Sequence, residues 1–305
     1  MPKLAATIKY YGILTVSYLL LAVLLPNSKT AQANFHLSSS GYHALLLLIV
    51  LPLIGIWFGA FYSYARLKQY SYAVAGSPEG ADFAQLTRGF TWLAWGSILS
   101  AMLSLVLNSL ADAHPSIMPA SVIAVNYASL IVWLVGFYII SGSSRNLNAR
   151  ADIVIKNSGA KLLMIGFIVL SVMYCFVTFK NLDLQSLNST DNPFYLPVWL
   201  VLLSIVVPYL YTWFMGLLSA YEISLYSQRV QGVLYQRAMR LLSLGVVSVI
   251  ASSIVVSYFR SAAPRAGHLS LGTTILIINV IYIFIAAGYV LISLGARQLR
   301  KIEEV

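Results

Sequence analysis

Charge is what this sequence has least of. Lys, Arg, Asp and Glu make up 9% of its 305 residues, against about 25% in a soluble domain. Too few polar groups remain to cover a water-facing surface. Acid is scarcer than base, with nine Asp and Glu against 19 Lys and Arg. Those acids (Glu79, Asp82, Asp112, Asp152, Asp183, Asp191, Glu222, Glu303 and Glu304) all fall at the ends of apolar runs or between them. An intramembrane aspartyl protease is therefore excluded, and a proton-coupled carrier lacks an evident mid-membrane carboxylate. No H-E-x-x-H occurs for a zinc protease. The four histidines, His36, His43, His114 and His268, lie outside the apolar runs, so none serves a serine nucleophile or a buried haem. Scattered as they are, they make no metal site. No lysine sits mid-run to hold retinal. No catalytic set, no metal and no cofactor are expected. The single Cys175 permits no intrachain disulfide and suits a small buried apolar position.

What is abundant is apolar. Hydrophobic residues reach 59% and mean hydropathy is +0.81. In hydrocarbon every backbone polar group must find a partner within the chain, and the apolar runs are continuous rather than alternating, so the spans are helices. At ~20 residues per crossing, eight spans are predicted: 10–26, 44–65, 89–111, 119–142, 162–179, 195–221, 241–259 and 270–296. With the N-terminus in the cytoplasm, 15 Lys and Arg fall in the inner segments. Only Lys29, Lys180, Arg260 and Arg265 fall in the outer loops. The positive-inside bias thus puts both termini in the cytoplasm of a multi-pass cell-membrane protein. The net charge of +10 is mostly this bias. It points to anionic lipid headgroups, not to nucleic acid. No protein partner is specified.

The start, with its basic residues, apolar core and Ala31-Gln32-Ala33, has the outline of a cleavable secretory signal. Span lengths and the internal repeat favour a retained first helix instead.

The chain repeats itself. At an offset of 156 residues Pro52 falls on Pro208, Trp57 on Trp213, Phe58 on Phe214, Ser63 on Ser219, Tyr70 on Tyr226 and Gly76 on Gly232. At an offset of 152, Arg88 falls on Arg240, Ser100 on Ser252, Gly136 on Gly288, Ser141 on Ser293 and Arg145 on Arg297. A four-residue insertion at Ser77-Pro78-Glu79-Gly80 would account for the change. The expected fold is an all-α, polytopic bundle of eight transmembrane helices, a tandem duplication of a four-helix unit, with halves 1–150 and 151–305. Four is even, so the halves enter the membrane from the same side. They are parallel repeats about an axis along the membrane normal, one of the symmetry classes of secondary carriers. Between the second and third helices, Gly76 suits a helix C′ position, Ser77 an N-cap and Pro78 a first turn. The two helices are expected to extend past the bilayer as a short hairpin.

Several residues stand out. Arg66 and Glu222 occupy equivalent repeat positions with opposite sign; they form a gate across the axis or are two headgroup-level charges. Arg88, Arg145, Arg240 and Arg297 are matched bases at the inner surface and are read as anionic-lipid contacts. Asn108, Asn126, Asn279 and Tyr282 line a central polar cavity or serve as interhelical hydrogen-bonding groups. Pro52 and Pro208 are hinge candidates or shape packing alone. Two functions follow. One is a pseudo-symmetric carrier or permease for a small or amphipathic solute. The other is a non-transporting scaffold, partner subunit or sensor component, which the lack of buried charge favours. An intramembrane enzyme ranks third for want of a catalytic set.

Overall fold

The computed structural model describes residues 9, 11–17, 20, 39–113, 118–151, 157–181, 198–262 and 271–303. Among the described residues there are eight helices and no strand. We label them α1 (11–17), α2 (Ser39–Ala73), α3 (Gly80–Ala113), α4 (Met118–Arg150), α5 (Asn157–Asn181), α6 (Val198–Arg229), α7 (Val233–Ala262) and α8 (Leu271–Glu303). Continuous helix is the outcome that apolar runs require, because it pairs the backbone within each segment. Four stretches are long and apolar enough to cross a membrane: Leu130–Arg150, Gly159–Thr178, Val233–Val255 and Asn279–Lys301. The α5 stretch is the barest, with Leu162, Ile165, Val172 and Phe176 all exposed. An apolar surface of that extent is unstable in water and natural in hydrocarbon.

Six helices close into a ring. α2 packs on α3, α3 on α4, α4 on α6, α6 on α7, α7 on α8, and α8 back on α2. The two remaining helices lie outside. α5 rests on α6 and α7, where the Tyr258 hydroxyl donates to the Leu170 carbonyl and Phe167 meets Phe214. α1 rests on α2, where the Tyr11 hydroxyl donates to the Ile54 carbonyl and its ring meets Phe58 and Phe61. Trp57 and Trp213, 156 residues apart, are each 1% exposed and sit under these outer helices.

The tightest crossings come in a matched pair. A Cβ added to Gly89 would lie 2.9 Å from the Gly136 carbonyl oxygen, and one added to Gly245 would lie 2.8 Å from that of Gly288. Ile140 and Ile292 close these crossings in the same way. Close approach of backbones through small residues is how helices associate where no hydrophobic drive exists between them. Position 245 is 156 residues beyond 89, whereas 288 is 152 beyond 136. By these contacts alone the offset is 156 between α3 and α7 and 152 between α4 and α8.

The two hairpins differ in helix start, not in chain length. Six residues separate the end of α2 from the start of α3 at Gly80, while three separate the end of α6 from the start of α7 at Val233. Gly232 carries the only positive φ among the described residues, at 105°, a conformation that favours glycine. Gly76 does not share it. Ser77 does not cap α3; its hydroxyl donates back to the Val74 carbonyl. At ~1.5 Å per residue, α2 and α3 are each roughly 50 Å long, well beyond the ~30 Å of a hydrocarbon core.

Candidate functional site

The ring has two seams at which residues of 1–150 meet residues of 151–305. One is α4 with α6, the other α2 with α8. Both are parallel pairs held by a matched serine. Ser219 on α6 donates to the Phe137 carbonyl of α4, and Ser63 on α2 donates to the Tyr289 carbonyl of α8. Phe137 and Tyr289 are themselves equivalent at an offset of 152. A buried hydroxyl donating to a backbone carbonyl of a neighbouring helix stabilises such a contact by ~0.6–2 kcal/mol.

One turn beyond these serines, toward the hairpin end, the seams diverge. At α4–α6 the Glu222 carboxylate is 3% exposed. It accepts from the Ser141 hydroxyl at 2.6 Å and from Arg145 Nε at 3.1 Å, and Arg145 Nη2 lies 3.1 Å away. Asn148 Nδ2 adds a bond to the Glu222 backbone carbonyl. Hydroxyl, guanidinium and amide thus close the seam around one buried acid, the arrangement a buried carboxylate needs.

At α2–α8 the equivalent of Glu222 is Arg66 and that of Arg145 is Arg297. Base meets base. Arg66 turns back along its own helix, with Nε donating to the Tyr62 hydroxyl and its guanidinium 5.0 Å from the Tyr62 ring centroid. Its Nη1 shares the Gln69 side-chain oxygen with Nη1 of Arg300. Ser293, the equivalent of Ser141, bonds to Ser63 instead. Among the described residues neither Arg66 nor Arg297 forms an ion pair.

Away from the hairpin end the same contrast continues. The α2–α8 seam carries a groove of about 360 Å³, lined by Gly55 and Gly59 of α2 and by Asn279, Tyr282, Ala286 and Val290 of α8, among others. The residues equivalent to Gly55, Gly59, Ala286 and Val290 are Tyr211, Met215, Leu134 and Tyr138. Where one seam has glycine and alanine, the other has large side chains.

The expected pairing of Arg66 with Glu222 is thus replaced. α2 and α6 stand across the ring from each other, three helices apart either way around it. What meets between the α2–α3 and α6–α7 hairpins is aromatic. Tyr70 packs on Phe83, Phe83 on Tyr235 and Tyr235 on Tyr226, all buried. Of the expected lipid-contacting bases, Arg88, Arg240 and Arg297 are exposed, while Arg145 is held by Glu222. Asn279 and Tyr282 line the side groove rather than a central cavity. The side chains of Asn108, Asn126 and Pro52 lie outside the described residues. Pro208 sits within a helix that continues through it, and the Thr212 hydroxyl donates to its carbonyl.

Sequence reading gave no role to a second buried acid. Asp82, 3% exposed, accepts from Arg150 Nε at 2.7 Å and ties the start of α3 to the end of α4. It also missed the serine bonds, although Ser63, Ser219, Ser141 and Ser293 were already visible as matched pairs. Among the described residues no cluster of His, Cys, Asp or Glu could hold a metal. Comparison with known proteins gives no match: no family model, no curated protein and no solved structure matches the chain.

Proposed function

We propose that the protein is a carrier for a small or amphipathic solute, built from two parallel four-helix repeats that together cross the membrane eight times with both termini in the cytoplasm. The matched glycine crossings, the matched serine bonds and the equivalent placement of α1 and α5 support the duplication. The Lys and Arg bias supports the orientation. The single observation that carries the functional reading is the unequal closure of the seams. One carries large side chains and is locked by Glu222; the other carries a groove along its outer face. A lateral opening in a helix ring admits a solute that is already dissolved in the bilayer, which suits an amphipathic molecule better than a water-soluble one. The aromatic cluster of Tyr70, Phe83, Tyr226 and Tyr235 acts as the inner closure, and Pro208 is the hinge candidate on α6.

The rival reading is a membrane scaffold or partner subunit. It is favoured by one observation: a continuous buried core joins both halves, running from Leu86 and Leu93 through Phe137 to Leu242 and Val246. Proteoliposomes carrying traces of acyl-chain-labelled fluorescent amphiphiles, one anionic, one zwitterionic and one cationic, separate the two. Dithionite added outside bleaches only outer-leaflet label. Bleaching beyond the outer half for any one amphiphile, dependent on the protein, is the expected result. Bleaching that stops at the outer half for all three would overturn the carrier and leave the scaffold.

A further inference from the structure

The open seam carries more than an opening. Five residues of α2, Gly55, Gly59, Tyr62, Arg66 and Gln69, recur at spacings of four, three, four and three, so they form one stripe. On α8 the exposed residues Ile283, Val290, Leu294 and Arg297 recur at seven, four and three, again one stripe. The two helices run in the same direction, since Gly59 meets Tyr289, Ser63 meets Ser293 and Gln69 meets Arg300 in order. The stripes therefore form one continuous surface. It begins at an apolar groove and ends in Arg66, Arg297 and Arg300.

Neither end of this surface is explained by packing. A Cβ on Gly55 would meet nothing within 4 Å, and one on Gly59 would meet only the Tyr289 Cβ, at 3.6 Å. These glycines are not needed for helix contact, yet they keep the groove open. At the other end two guanidinium groups donate to a single amide oxygen, which brings like charges well within the ~8 Å Debye length of physiological salt. At the equivalent place in the other seam the chain supplies its own carboxylate. Here the place of that carboxylate is taken by Arg66.

We propose that the α2–α8 seam is a binding site for an anionic phospholipid. Its phosphate would sit at Arg66 and Arg297, and one acyl chain would lie in the groove at Gly55 and Gly59. The phosphate supplies the negative charge that Glu222 supplies at the other seam, and guanidinium groups recognise phosphate oxygens bidentately. Eleven residues separate Gly55 from Arg66, or roughly 16 Å of helix, a span that an acyl chain covers. The site rests on the membrane reading above and, within it, names the class of amphipathic ligand. It requires binding, not transport.

The test uses the purified full-length chain in mild detergent, with lipid retention read by native mass spectrometry. Phosphatidylglycerol should be retained at least tenfold better than phosphatidylcholine of the same chains. Arg66→Gln with Arg297→Gln should abolish that preference, while Lys161→Gln with Arg237→Gln, an equal loss of charge at two exposed bases elsewhere, should leave it. Gly55→Leu should lower retention of both lipids at least fivefold without lowering the melting temperature. Gly59→Ala serves as a second filling variant should the first fail to fold. Millimolar inorganic phosphate should not displace the lipid. Equal effects of the two double variants would reduce the site to diffuse electrostatics and overturn it. So would unchanged retention in the filling variants, or displacement by phosphate, which would mean a free-anion site. A dimer in the spectrum that Gly55→Leu removes would assign the groove to a second copy. Lipid binding that persists in a protein showing no dithionite-detected transport would sink the carrier and spare this site.

Discussion

The α4–α6 and α2–α8 seams start from the same plan and end differently. Each joins parallel helices, and each is pinned by a serine donating across to a backbone carbonyl. Within each half, the glycine crossings match to a tenth of an ångström. The seams between the halves differ far more than these crossings do. A crossing inside a half is constrained by close backbone contact, where any added atom clashes. A seam is held by side chains, and those can be exchanged for others of different size and charge. One seam carries Tyr211, Met215 and Leu134 and an internal acid, while the other carries small residues and bases.

The most damaging variants should be those that treat the halves alike. Gly89→Ala and Gly245→Ala each push a methyl group against a backbone carbonyl of the next helix. Backbone cannot yield as a side-chain tip does, so each should cost about 2–3 kcal/mol, the upper part of the range for overpacking. The two losses should agree within about 0.5 kcal/mol, measured as unfolding free energies in mild detergent. A large loss at Gly89 with none at Gly245 would show that the two crossings are not equivalent.

Arg145→Ala and Arg297→Ala should then separate the seams. The first leaves the buried Glu222 carboxylate with only the Ser141 hydroxyl. Breaking a fully buried pair costs about 3–5 kcal/mol; because the Arg145 side chain is 62% exposed, about 2 kcal/mol is expected. The second removes a base that has no acid beside it, so stability should be unchanged or slightly higher. Equal losses from both would erase the contrast on which the open seam rests.

Much of this was visible in the sequence. Scarce charge and continuous apolar runs lead directly to a helical protein with membrane-spanning helices, and matched Ser63 and Ser219 each donate across a seam. The pairing of Glu222 was not visible. Matched positions fix a common depth along the membrane normal, but they do not say which helices touch. Closure of six helices into a ring sets α2 opposite α6, so Glu222 on α6 meets Arg145 on α4 and never Arg66 on α2. Contacts between helices were not visible either. Arg88 and Arg240 are matching residues by identity only, whereas Gly89 and Gly245 are matched by what they touch. The groove escaped notice for another reason. Gly55 and Gly59 read as ordinary small residues of a membrane helix until the larger residues at the equivalent positions stand beside them.

A third variant sharpens the comparison by converting one seam toward the other. Arg66→Glu restores at α2–α8 the acid found at α4–α6, facing Arg297 and Arg300. It also removes one member of a crowded group of bases. The new pair would be partly exposed, so the gain should be about 1 kcal/mol, the top of the range for exposed ion pairs. A rise in unfolding free energy that disappears in the Arg66→Glu, Arg297→Gln double variant would identify the pair by its coupling. A loss of stability would mean that the bases of this seam are already satisfied by something other than each other.

The smallest effect is expected at the groove itself. Gly55 lies inside a helix, faces outward, and an added Cβ there meets nothing. Leucine at this position relieves the backbone-entropy cost of a mid-helix glycine, worth about 0.8–1 kcal/mol relative to alanine. Part of that is offset if a lipid chain retained from the membrane is displaced. A net gain of about 0.5 kcal/mol in lipid-free detergent is therefore expected, falling to zero or below when phosphatidylglycerol is added back. That dependence on lipid is the informative part. Propensity acts equally with and without lipid, whereas displacement of a bound chain acts only with it. A gain that is the same under both conditions would reduce Gly55 to a weak spot in a helix, and the difference between the two seams would then be one of packing alone.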